Sequence, residues 1–146
     1  MYPELSAKRL QLLKDMVPTA ARVAVLFNPD TPPAQLQWRE LEVAAPRLDM
    51  QLQAVEVRRA ADLEHACATV ASWRADALLV IDDPTLLPAH QMEIVEFATR
   101  HRLPTMTGLR TMVDAGGLMS YGASGVTAGF WKTPPASSTL VIFGLP

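Results

Sequence analysis

Four places in the sequence put hydrogen-bonding or charged residues immediately after a short apolar run. They are Asn28, the pair Asp82-Asp83, Thr107-Gly108 with Arg110 just beyond, and Ser120-Tyr121. An asparagine offers a donor and acceptors, paired aspartates offer acceptors for an ammonium, and an arginine offers a fork that matches a carboxylate. Together these groups suit a small zwitterion such as an amino acid. Each also has a plainer role. Asp83-Pro84 is a common helix start, Asn28-Pro29 and Asp30-Thr31 fit turn and cap chemistry, Arg110 fits a solvated helix face, and Tyr121 fits a strand end.

Sharper chemistries fail on spacing. No G-x-G-x-x-G follows a strand and no G-x-x-x-x-G-K-[ST] occurs, so neither dinucleotides nor nucleoside triphosphates have a motif. Gly122-Ala123-Ser124-Gly125 brings its second glycine one residue too early for a nucleophile elbow. His65 and Cys67 are two residues apart on a helical stretch and point in different directions, while His90 and His101 sit towards opposite ends of another. They make no metal site. The acidic pair after Ile81 lacks the later aspartate and strand-end lysine of a phosphoacceptor site. No metal and no cofactor is expected.

The elements that must position these residues alternate regularly. Leu10, Leu13, Met16 and Val17 recur at helical spacing, with Ser6 as the expected N-cap and Pro18 closing the segment. Arg22 to Phe27 reads as a strand buried on both faces. Ala34, Trp38, Leu41 and Ala45 mark a second helix, capped by Asp30 or Thr31 and ended by Pro46. A strand follows over 52–57. Leu63, Ala66, Cys67, Val70 and Trp73 form a third helical stripe, and Ala77 to Ile81 a third strand. Ile94 to Ala98 belong to a fourth helix, 104–107 to a fourth strand, 109–115 to a fifth helix and 118–121 to a fifth strand. Strands starting near 22, 51, 77 and 104 and separated by helices predict an α/β fold, a doubly wound parallel sheet of about five strands. The expected order is 2-1-3-4-5, with ligands approaching the carboxyl ends of the strands. Beyond Tyr121 no helical period continues, and residues 123–146 read as an irregular tail to a domain of residues 1–122.

Composition narrows the partners. The 146 residues are 49% hydrophobic and 19% charged, enough for one core, and a net charge of −2 lacks the basic stripe that nucleic acid requires. Cys67 is the single cysteine, so no disulfide forms within the chain, and it reads as a small core residue. The run from Ala77 to Ile81 is far too short to span a bilayer. Met1 to Ser6 is neither basic nor apolar enough for a secretory signal as it stands.

Several segments taken in order resemble a known family. They are Glu4 to Lys14, Arg22 to Pro29, Ala77 to Pro84, His101 to Pro104 and Ala115 to Gly122. Together they are similar to the ABC transporter substrate-binding proteins related to tryptophan- and tyrosine-binding lipoproteins. The resemblance covers about residues 4 to 122 and implies the second lobe of a periplasmic-binding-protein fold, two α/β lobes closing on a small solute. It implies that Asn28 and the loop Asp82-Asp83-Pro84-Thr85 face the cleft, with Gly108 and Arg110 at the strand-four exit. A transporter permease is the implied partner, and a full-length relative would work in the periplasm or at the cell surface. The departure after Gly122 leads us to expect a truncated or frame-shifted product whose half cleft binds solute weakly or not at all. The alternatives are an effector-sensing lobe of a regulator and a small α/β enzyme using Asp82 or Asp83 as a base. An exposed sheet edge or lobe interface is also open to self-association.

Overall fold

A computed structural model describes residues 3–81, 90–107, 119–122 and 125–128. The first helix, α1 (Pro3–Met16), turns Leu10 and Leu13 inward, followed by the buried Val17. Ser6 does not cap it. The helix begins three residues earlier, at a proline whose missing N–H needs no partner in a first turn, so Ser6 lies inside it and is 2% exposed.

Strand β1 (Arg22–Phe27) is buried from Val23 to Phe27 because it is central: it pairs in parallel with β2 (Gln51–Glu56) on one side and with β3 (Ala77–Val80) on the other. Alternation divides its side chains between two cores. Val23, Val25 and Phe27 pack with Leu10, Leu13 and Leu41, whereas Ala24 and Leu26 pack with Leu63, Val70, Ile94 and Phe97. Helices α1 and α2 (Pro32–Arg47) therefore cover one sheet face, and α3 (Leu63–Trp73) and α4 (Gln91–Arg100) cover the other.

Strand β4 (Thr105–Thr107) joins β3 in parallel, β5 (Met119–Gly122) joins β4 in parallel, and β6 (Gly125–Ala128) closes the sheet antiparallel to β5. The order is β2-β1-β3-β4-β5-β6. Its first five strands follow the order expected of a doubly wound α/β sheet. The sixth lies in the stretch expected to be irregular: four residues carry no helical period and too short an alternation to be recognised in the sequence. The expected fifth helix, 109–115, lies outside the described residues.

Helix ends follow local chemistry. Thr31 occupies the N-cap position of α2 without a side-chain cap bond, because Pro32 and Pro33 remove N–H donors that a cap would receive. Its Oγ1 instead donates to the carbonyl of Asn28 at 3.2 Å. Pro46 is accommodated in the last turn of α2. The chain leaves α2, α3 and α4 through Asp49, Arg74 and Arg102, all at φ of 55–58°, the left-handed exit usual after a helix. At the amino edge of the sheet, Asp76 Oδ2 accepts from the backbone N–H groups of Ala21 and Arg22 at 3.0 and 2.9 Å, tying the entrance of β1 to that of β3.

Candidate functional site at the carboxyl edge of the sheet

All five parallel strands end at one edge, and two buried polar residues stand there. Asn28, 6% exposed, follows β1, and Thr107, 1% exposed, ends β4. Burial of an asparagine at a strand exit requires bonded partners. Asn28 Oδ1 accepts from the Asp30 N–H at 3.0 Å, and its carbonyl accepts from Thr31 Oγ1. Gln35 Nε2 donates to the Pro29 carbonyl at 2.5 Å, which fastens the turn to α2. The turn chemistry weighed for Asn28-Pro29 is thus present. A stacked pair lies just below it, Phe27 on Trp38 with centroids 5.3 Å apart and rings within 8° of parallel.

The same turn is tied sideways to the exit of β2. Arg58 Nε donates to Asp30 Oδ1 and its guanidinium to Glu56 Oε1, each at 3.1 Å, while Asp62 Oδ2 accepts from the N–H groups of Arg58 and Arg59, also at 3.1 Å. The hydrogen bond to Asp30, aided by the charges of Glu56 and Asp30, raises the Arg58 pKa above its ordinary value. This network is exposed, with the Arg58 side chain 50% accessible, so its contribution is to orientation more than to stability. Reading strand ends in the sequence passed over it. The signal was Glu56-x-Arg58-Arg59 directly after the second apolar run.

Register places Ser120 in this frame. Val55, Leu26, Val80, Thr107, Ser120 and Thr127 are successive partners across all six strands, one row running the width of the sheet. Apolar residues occupy the β2, β1 and β3 positions of that row, and hydroxyl-bearing residues occupy the β4, β5 and β6 positions. Ser120 is therefore level with Thr107, one row below Phe27 and two below Asn28. Asp82, Asp83, Thr85, Gly108 and Arg110 lie outside the described residues. The structure thus relates Asn28, Thr107 and Ser120 through one sheet edge and adds Arg58 to the same edge.

Among the described residues no three His, Cys, Asp or Glu side chains gather to hold a metal ion. A cavity of about 450 Å³ lies between α3 and α4, its lining beginning at Leu63 and Glu64 in the first turn of α3. Cys67, on its wall, is half-buried rather than fully in the core, and burial pushes its thiol pKa up to about 11. No helix among the described residues is long and apolar enough to cross a membrane.

Comparison with known proteins supplies the wider context. The family model for "ABC transporter substrate binding protein" matches residues 3–133. No curated protein sequence matches. Among solved structures, a conserved domain protein from Vibrio cholerae O1 biovar El Tor superposes with a TM-score of 0.73 at 20% identity, covering 80% of this chain and 39% of that one. The ABC domain in complex with L-Trp from Streptococcus pneumonia gives a TM-score of 0.73 at 19% identity, covering 81% and 39%. A leucine binding protein from Thermotoga maritima MSB8 gives 0.60 at 15% identity, covering 82% and 36%. The chain spans about two-fifths of the length of these structures.

Proposed function

This chain belongs to the family of ABC transporter substrate-binding proteins, and from that premise we propose that it forms one wall of a cleft between two lobes, in which a small amino-acid-like solute is held for a transporter permease. The family consists of solute-binding proteins rather than enzymes, and its members work in the periplasm or outside the cell; the same location is proposed for a full-length form of this chain. The observation that carries the reading is the edge itself: parallel strand ends, buried Asn28 and Thr107, and a turn held on two sides by Gln35 and Arg58. A wall whose polar groups are fixed before the solute arrives loses little conformational freedom on binding.

In this proposal Asp82 and Asp83 receive the solute ammonium, Arg110 receives its carboxylate, and Asn28, Thr85, Gly108 and Ser120 supply further hydrogen bonds. The amino-acid class is supported by the names of two similar structures, the L-Trp complex and the leucine binding protein. A single wall leaves half of the solute in water, so the chain by itself should bind at millimolar rather than micromolar concentration, a loss of about 4 kcal/mol or more relative to micromolar binding.

The test is a backbone amide NMR titration of the chain with L-tryptophan, L-tyrosine and L-leucine up to about 20 mM, a range set by millimolar binding. Saturable shifts clustered at Asn28–Thr31, Arg58 and Thr107 are expected, and these should be lost in Arg110→Ala. Shifts confined to the amino edge, or none across the panel, would overturn the assignment of this edge. Micromolar binding by calorimetry would overturn the half-cleft argument.

A further inference from the structure

The hydrogen bond that closes the Asn28 turn also fixes which end of the amide faces outward from it. A backbone N–H can only donate, so the Asp30 N–H, 3.0 Å away, selects the oxygen Oδ1. The nitrogen Nδ2 and its two N–H groups are thereby turned the opposite way. Two donors let it serve a contact within the fold and a solute together. Asn28 is 6% exposed, and at such a site a donor set against another donor leaves both without an acceptor. The amide therefore suits a carboxylate oxygen and rejects an ammonium.

That direction holds only while residue 30 stays in place, and the exit of β2 holds it. Beyond the last residue of β2 the ladder continues by one bond, from the Val57 N–H to the Phe27 carbonyl at 2.9 Å, which brings Arg58 beside the Asn28 turn. Arg58 is then fixed through its backbone and its side chain. Its N–H donates to Asp62 Oδ2, its Nε to Asp30 Oδ1 and its Nη1 to Glu56 Oε1, each at 3.1 Å. The bond to Asp30 has a second effect. The Asp30 carboxylate stands two residues from Asn28, where it is an acceptor able to compete for the amide N–H groups and a charge that repels an incoming carboxylate. Arg58 draws it aside and balances its charge.

We propose that Asn28 is a donor to the solute carboxylate and that Arg58 is the positioning residue that keeps it one, so that this edge selects solutes with a free carboxylate over their carboxamides. This assignment rests on the solute binding proposed above and divides its polar groups by charge: Asp82 and Asp83 serve the ammonium, and Asn28 joins Arg110 at the carboxylate. Arg58 acts through Asp30 and touches no solute. Its side chain is 50% accessible, and exposed ion pairs add little to stability, so its removal changes selectivity and leaves folding intact.

Backbone and side-chain NMR titrations of the whole chain with L-tryptophan and with L-tryptophanamide, up to about 20 mM, test this. In the wild type the Asn28 side-chain NH2 signals should move with L-tryptophan and hardly at all with the amide. Asn28→Asp keeps an oxygen towards Asp30 and replaces the donor by a charged acceptor, so it should bind L-tryptophan about tenfold more weakly and lose the preference. Arg58→Ala should bind L-tryptophan about threefold more weakly and exchange its Asp30 amide hydrogen faster, with Tm changed by less than about 2 °C. Arg58→Lys, which returns a positive charge beside Asp30, should recover part of that loss. Asn28→Asp binding L-tryptophan as well as the wild type overturns the donor assignment. Unchanged L-tryptophan affinity in Arg58→Ala overturns the positioning role. No shift with either compound in the wild type would instead sink the solute reading of this edge, and the assignment of Asn28 with it.

Discussion

Asn28 and Cys67 show how much a residue's environment decides its chemistry. In the sequence Asn28 served equally well as a ligand group or a turn residue. In the fold its side-chain oxygen closes a turn onto Asp30, so a solute would meet an asparagine already oriented by its own loop. Cys67 read as a core residue and is instead half-buried on a groove wall. Burial disfavours its thiolate and, with the negative charge of Glu93, outweighs the opposing charge of Arg100, placing the pKa at about 11 against an ordinary 9.0. The folded chain therefore holds its proton more tightly than the unfolded chain. The associated stability is fully present below about pH 9 and declines as pH rises towards 11. Iodoacetamide at pH 7.5 should modify Cys67 roughly a hundredfold more slowly than an unperturbed thiol, with the rate climbing until about pH 11. An alkylation rate that levels off near pH 9 would show that burial does not control this thiol. Cys67→Ser should remove the thiol-dependent loss of stability above pH 9.

At the scale of elements, α1 has a correctable flaw. Ser6 Oγ is buried inside the helix with no hydrogen-bond partner, and an unsatisfied buried hydroxyl costs about 1–3 kcal/mol. Alanine removes that cost and is the better helix former. Ser6→Ala should raise stability by about 1 kcal/mol, or roughly 3 °C in Tm for a domain of this size, measured by thermal and urea unfolding. A decrease would mean that the hydroxyl is satisfied in solution. The helices and strands up to β4 were legible because each strand is a short apolar run and each helix an apolar stripe, two periods that do not mimic one another. The helix start at Pro3 was hidden because Ser6 satisfies the same cap signature three residues later. β6 was hidden because Gly125-Val126-Thr127-Ala128 is too short for periodicity to register. The candidate edge was half legible: single strand ends announced Asn28, Thr107 and Ser120, but the Asp30–Arg58 bridge links residues 28 positions apart and belongs to topology, which only the sheet order supplies.

For the whole molecule, the sheet order carries a consequence for how the chain acquires its structure. β1 is the one strand whose neighbours on both sides, β2 and β3, come from the next two strand segments of the sequence. A nucleus of β1, β2 and β3 with α2 and α3 needs only residues 22–80, so the loops it must close are short and their entropic cost is modest. Each later strand then adds to one growing edge in the order in which a ribosome releases it. Native-state hydrogen exchange should find the slowest amides at Val25 and Leu26, between two strands, and progressively faster exchange through β3, β4 and β5. Uniform protection across the sheet would indicate a single cooperative unit instead. If the gradient holds, the lobe can be assembled during synthesis before its carboxyl-terminal strands exist, and changes beyond β4 will alter what the edge can hold far more than whether the sheet forms.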